Sequence, residues 1–153
     1  MADKFEQQCA RMQWERWPYT AGQFGSLKTA DPRIPAEHGV CLIRAPRPIP
    51  RAQGHSNVVY IGQSGGGKRA GKQGTGPGNG GPGRLFNTGG FERIVRRKIE
   101  DLFSGSEFIL ECAFVADPEQ VETKLLRAYF ETHSELPPAN HNKGVGSDGS
   151  HPL

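Results

Sequence analysis

From Gly39 onward the apolar positions fall into short blocks whose period changes along the chain. GVCLIRA at 39–45 and NVVYIG at 57–62 are brief apolar runs rich in β-branched and aromatic residues, and they predict two strands. The prolines of PRPIPRAQGHSN between them predict a stretch kept out of the sheet, so the two strands are expected to form an antiparallel hairpin with a long loop. Further on, Phe91, Ile94, Val95, Ile99 and Leu102 recur at helical spacing, with Arg93, Arg96, Arg97 and Lys98 on the other side. EFILECAFVA at 107–116 is apolar throughout except for Glu111 and predicts the third strand. Asp117 is then a suitable N-cap, Pro118 a suitable first helical residue, and Gln120 completes a capping box. The helix they open is expected to run through EQVETKLLRAYFETH and to end near LPPAN. The order β-β-α-β-α describes a small α/β (α+β) domain, a three-stranded sheet flanked by helices.

The remaining segments lack such periods. Residues 3–17 predict a short helix with Phe5, Met12 and Trp14 as its apolar positions, stopped by Pro18. From Pro18 to His38, Pro32 and Pro35 point to extended chain, so residues 1–38 are expected to be an arm lying against the domain. The domain itself spans 39–142, interrupted by a glycine-rich insert at 65–83 that has too little apolar surface to order itself. Residues 143–153 are polar and glycine-rich, and the expectation is a disordered tail.

Composition narrows the function class. A net charge of +3 and a pI near 8.9 permit an anionic partner without requiring one. Cys9, Cys41 and Cys112 are far apart, with no paired zinc-site spacing, which points to reduced thiols. Cys41, on an apolar strand, is expected to be a small core hydrophobe. The first residues lack the apolar stretch of a signal peptide, and no run reaches the length of a membrane span. The expectation is a soluble, cytoplasmic chain with no membrane contact.

One motif is excluded on chemical grounds. GQSGGGKR, Gly62 to Arg69, matches the G-x-x-x-x-G-K of a P-loop but carries Arg69 where a magnesium-binding hydroxyl is required. More Gly, Pro and Lys follow, so no helix N-terminus can face the phosphates there.

Another series uses the whole domain. Gly39-Val40-Cys41, then Tyr60-Ile61-Gly62, then Arg84, Glu122 in ETKLL, and Asn140 closing LPPAN occur in that order across the predicted elements. This series resembles the GIY-YIG nuclease superfamily. There the two tripeptides sit on a strand hairpin, an arginine on the first helix, and a metal-binding glutamate on the helix after the third strand. Cys41 stands where the family has the tyrosine of its first tripeptide, and Thr88 where many members have His or Tyr.

The resemblance implies a metal-dependent DNA endonuclease that hydrolyses phosphodiesters, with RNA not excluded as substrate. Glu122 would hold Mg2+ or Mn2+, a hard cation content with one carboxylate if water and phosphate complete its shell. Arg84 would pair with the phosphate through its fork of donors. Tyr60 would hold or deprotonate the attacking water, its phenol lowered by the metal and Arg84, and Asn140 would orient Glu122 or a backbone segment. Gly39, Cys41 and Gly62 mark the motif. Lys68, Arg69 and Lys72 of the insert, with His141, are expected to contact nucleic acid, whereas His133 is expected at the surface. Tyr60, Arg84, Glu122 and Asn140 are expected to converge on one concave surface beside Cys41. The Cys41 substitution leaves an alternative open, a catalytically weakened or inactive nucleic-acid-binding module on the same fold.

Overall fold

The structure is a computed structural model, which describes residues 2–20, 39–64, 99 and 107–140. The elements are α1 (Lys4–Cys9), β1 (Glu15–Thr20), β2 (Gly39–Pro50), β3 (His55–Ser64), β4 (Glu107–Phe114) and α2 (Pro118–His133). Every strand pairing is antiparallel, and the strands lie in the order β1-β4-β2-β3. The class is mixed α/β, as expected, but the sheet has four strands and not three.

The extra strand comes from the arm. The expected helix ends at Cys9, and the chain then turns into β1, whose residues 15–20 pair with β4. Pro18 was the predicted helix stop. It sits instead inside a strand, opposite Ile109, and is tolerated because β1 is at the sheet edge, where a missing N–H need not break the ladder. Trp17 packs against the core from this strand, and the Trp14 indole N–H donates to the Cys9 carbonyl at 2.9 Å.

The prolines after Ala45 do not end β2 either. Its pairing with β3 runs from Gly39 to Arg44, lapses, and resumes with Ile49 opposite Ser56 and Pro50 opposite His55. Pro46 and Pro48 fall, exposed, in the lapse, where no ladder donor is asked of them. The hairpin loop is therefore short. The Arg51 N–H donates to the Gly54 carbonyl at 2.9 Å, and Gly54 has φ +73°, a conformation that favours glycine.

Each sheet face carries its own core. On one face, Val40, Leu42, Val58, Ile61 and Ala113 pack under Phe5 and Cys9 of α1 and Leu125, Ala128 and Tyr129 of α2. On the other, Cys41, Ile43, Phe108, Leu110 and Cys112 pack with Ile99, which is helical and fully buried. Ile99 is the one described residue of the expected basic helix; the other residues of that segment lie outside the described ones.

α2 follows its sequence signals. Asp117 accepts from the Gln120 N–H at 3.2 Å, Pro118 opens the helix, and Ser134 closes it in the left-handed conformation at φ 61°. His133 is not at the surface. It is 2 % exposed, its Nδ1 2.8 Å from the Gln53 carbonyl oxygen and its ring 4.5 Å from that of Tyr129. The hairpin loop folds back on the helix end, which a linear reading of the His133 neighbourhood does not reveal. No described helix is long and apolar enough to cross a membrane.

Glu111, the charge in the middle of β4, is 3 % exposed. Its two oxygens accept from Nε of Arg16 on β1 and Nε of Arg44 on β2. Arg44 reaches on to Glu6 of α1 at 3.0 Å and to Asn57 of β3 at 2.8 Å. A buried ion pair adds little over an apolar replacement of the same shape, but removing one partner costs about 3–5 kcal/mol. The network thus pins both pieces of the arm, α1 and β1, to the sheet.

Candidate functional site

The site forms around Tyr60 on β3, the edge strand opposite β1. Ile43 pairs with Tyr60 but Arg44 pairs with Val58, so Val59 is an extra residue, a bulge immediately before the tyrosine. Bulges twist a strand and re-aim the side chains beside them. Beyond it the register is regular, with Cys41 opposite Gly62 on one side and Cys112 on the other. Strand alternation puts Tyr60, Gly62, Cys41 and Cys112 on one face.

Both motif glycines have a steric reason. A Cβ on Gly62 would lie 2.7 Å from Cε1, 2.8 Å from Oη and 2.9 Å from Cζ of Tyr60, so the phenol ring lies across Gly62. A Cβ on Gly39 would lie 2.7 Å from the Ala113 carbonyl oxygen and 3.2 Å from the Phe114 ring. Gly39 lets β4 approach; Gly62 gives Tyr60 its resting place.

The backbone around Tyr60 is clamped from outside the sheet. The Ile61 N–H donates to Oδ1 of Asn140 at 2.9 Å, and Nδ2 of Asn140 donates to the Ile61 carbonyl at 2.9 Å. The Ala139 N–H donates to the Val59 carbonyl at 2.8 Å. The side-chain amide of Asn140 thus takes the position of a neighbouring strand and satisfies the open edge of β3 on both sides of Tyr60. Pro137 sets the approach, its carbonyl accepting from the Asn140 N–H at 3.0 Å.

Glu122 stands on α2, whose core residues cover the face away from Tyr60. The two faces meet at β3, and the segment after α2 crosses there, since Ala139 is buried in the core on the Tyr60 face. Burial pushes the Tyr60 phenol well above its ordinary value; the Glu122 carboxylate raises it further, and Cys41 adds a smaller push. Tyr60 is accordingly a neutral hydrogen-bonding phenol over the whole physiological range. The lowering expected from a metal and Arg84 is not what its described neighbours do.

Cys41 is 1 % exposed, the small core residue expected. Cys112 lies opposite it, and burial together with a hydrogen bond to Cys41 pushes the Cys112 thiol up. Sequence separation hid this thiol pair, although two cysteines on predicted neighbouring strands were a signal for it. Arg84, Thr88, Lys68, Arg69, Lys72 and His141 lie outside the described residues, as do the insert and the tail. Of the four side chains expected to converge, the structure brings Asn140 to the backbone beside Tyr60 and sets Glu122 within electrostatic reach of the phenol. Among the described residues no group of three or more His, Cys, Asp or Glu side chains is placed to hold a metal ion. No family model, no curated protein and no solved structure matches the chain.

Proposed function

We propose that the chain is a metal-dependent endonuclease that hydrolyses phosphodiester bonds in DNA at a GIY-YIG-type site. The observation that supports this best is the local one: a half-buried phenol laid across Gly62, its strand clamped at Ile61 by Asn140, with the Glu122 carboxylate within electrostatic reach. A lone carboxylate is a poor cage for most metals but suits a magnesium ion that keeps its waters and takes a substrate phosphate. Glu122 would hold Mg2+ or Mn2+ there, and the ion when bound supplies positive charge to the phosphoryl oxygens.

The protein's own groups set the geometry. Tyr60, kept neutral, would accept a hydrogen bond from the attacking water and hold it in line with the phosphorus. Arg84, outside the described residues, would donate its forked N–H groups to the phosphate oxygens as charge gathers on them. Asn140 keeps Ile61, and with it Tyr60, from sliding along the edge.

A second reading is favoured by Cys41, a buried free thiol in hydrogen-bond contact with Cys112 where the family has a phenol. On that reading the chain binds nucleic acid without cutting it. Supercoiled plasmid separates the two. Nicking with magnesium that disappears with EDTA and in Glu122→Gln establishes the nuclease. Binding with no nicking in magnesium or manganese establishes the binder, and nicking that survives Glu122→Gln refutes the mechanism.

A further inference from the structure

α1 and α2 pack against each other through the edge of Phe5 on Tyr129, ring centroids 5.2 Å apart, and through the Phe5 N–H, which donates to Thr132 Oγ1 at 3.3 Å. Beside that contact lies a groove of about 360 Å³. Lys4 and Arg11 line it from the α1 side, Lys124 and Arg127 from α2. The single carboxylate in the lining is Glu131, already joined to Lys4 at 2.8 Å. Gln8 adds an amide donor, and Gln7 a second whose Nε2 already donates to the Ala2 carbonyl at 2.8 Å. Among the described residues, Arg11 and Lys124 have no ion-pair partner.

We propose that this groove is a second nucleic-acid contact, which takes phosphate groups of a bound strand between Arg11 and Lys124. The inference rests on the nucleic-acid reading of the chain, though not on cleavage. Pockets for small metabolites are mostly enclosed, with few charges. This one is open, walled by long basic side chains from two elements, and rimmed by amide donors, which suits a repeating anion. An isolated basic stripe on one helix is an ordinary solvated face. Here the cations come from two elements that sequence separates by more than a hundred residues, and they face one shared space.

The groove is also distinct from the Tyr60 site. At 3.6 residues per turn, Lys124 and Arg127 stand roughly 200° and 140° around α2 from Glu122. A strand in the groove and a phosphate at Glu122 therefore lie on different sides of the same helix. The groove holds nucleic acid away from the bond at Tyr60, either a flank of the same molecule or a second segment.

The test is fluorescence anisotropy without divalent metal, using a fluorescein-labelled single-stranded oligonucleotide in one arm and its duplex in the other. Charge reversal in Arg11→Glu/Lys124→Glu is expected to weaken binding about tenfold or more at low salt. It should also flatten the dependence of log K on log salt by about 2, one unit for each lost phosphate contact. Arg11→Lys/Lys124→Arg should keep both. If thermal melting shows that charge reversal harms the fold, Arg11→Gln/Lys124→Gln gives the same comparison with a smaller loss. The arm with the larger loss identifies the strand form that the groove holds. Unchanged affinity and salt slope in both arms would overturn the proposal. So would a wild type that binds phosphatidylglycerol vesicles and neither oligonucleotide. Binding that depends on Arg11 and Lys124 in a chain that never nicks plasmid supports the groove and refutes only the nuclease.

Discussion

Gly62→Ala is the most direct probe of the Tyr60 arrangement. A methyl there meets three atoms of the Tyr60 ring at 2.7, 2.8 and 2.9 Å, well inside ordinary contact, so the ring must leave its place. Gly62 has no positive φ, and the strand backbone accepts alanine without strain. Alanine even removes some freedom from the unfolded chain, a gain of about 0.4–1 kcal/mol. Against this, a tyrosine carries roughly 150–250 Å² of buriable surface. If about 80 Å² of it returns to water at 25 cal/mol per Å², the loss is about 2 kcal/mol. The net expectation is a destabilisation of about 1–2 kcal/mol, read from the urea midpoint at constant m. The displaced ring should also lose the burial that raises its phenol, and a 13Cζ-tyrosine NMR titration should find Tyr60 moving down towards the ordinary value of 10.0. In a Tyr60→Ala background nothing is left to displace, so Gly62→Ala should become neutral or stabilising there. Equal destabilisation in both backgrounds, or an unshifted Tyr60 titration, would refute the reasoning.

Three further outcomes follow from the same structure. Asn140→Ala removes two hydrogen bonds from the Ile61 backbone, and should cost about 1–3 kcal/mol while speeding hydrogen exchange at the Ile61 amide; unchanged exchange would place the clamp elsewhere. Cys41→Tyr would introduce the tyrosine of a GIY tripeptide but puts a ring into a site 1 % exposed between Gly62 and Cys112, so it should cost about 1–3 kcal/mol, with Cys112→Ala recovering part of the loss in the double variant. Burial, then Glu6, pushes the Cys9 thiol from 9.0 up to about 12, and Cys112, Tyr60 and Tyr129 are raised as well. The folded state holds these protons after the unfolded state has lost them, so stability should be full below about pH 9 and fall as pH rises towards 12. Urea midpoints across that range should show a shallower decline in Cys9→Ala.

Much of the frame was legible because its signals are local. The hairpin strands, the strand around Leu110 and the capped start of α2 each show in a few neighbouring residues. What was missed depends on partners distant in sequence. Pro18 looks like a stop until β4 supplies an edge to pair with, and Pro46 and Pro48 look like loop until the ladder lapses around them. Glu111 stood out as one charge in an apolar strand, but its role needs Arg16 and Arg44 from two other strands. Tyr60, Glu122 and Asn140 could be ordered along the chain. The bulge at Val59, the ring over Gly62 and the face from which Glu122 approaches could not, since each is set by register and helix placement.

The tripeptide Tyr60-Ile61-Gly62 is best understood as one mechanical unit. Each residue solves a different problem of an edge strand that must present a polar side chain. Ile61 anchors the strand to the α2 core with its side chain and hands its outward N–H and carbonyl to Asn140. Gly62 leaves the space into which the Tyr60 ring lies. Tyr60 therefore has little freedom left, although it sits on a strand at the sheet edge. A free edge also invites pairing with another chain, and the Asn140 amide blocks that pairing at the point where it fixes the phenol. Protection of the edge and positioning of the candidate site are thus one interaction. A substitution at Asn140 loosens the phenol and opens the edge together, so its effect on any activity has to be measured on protein shown to be monodisperse.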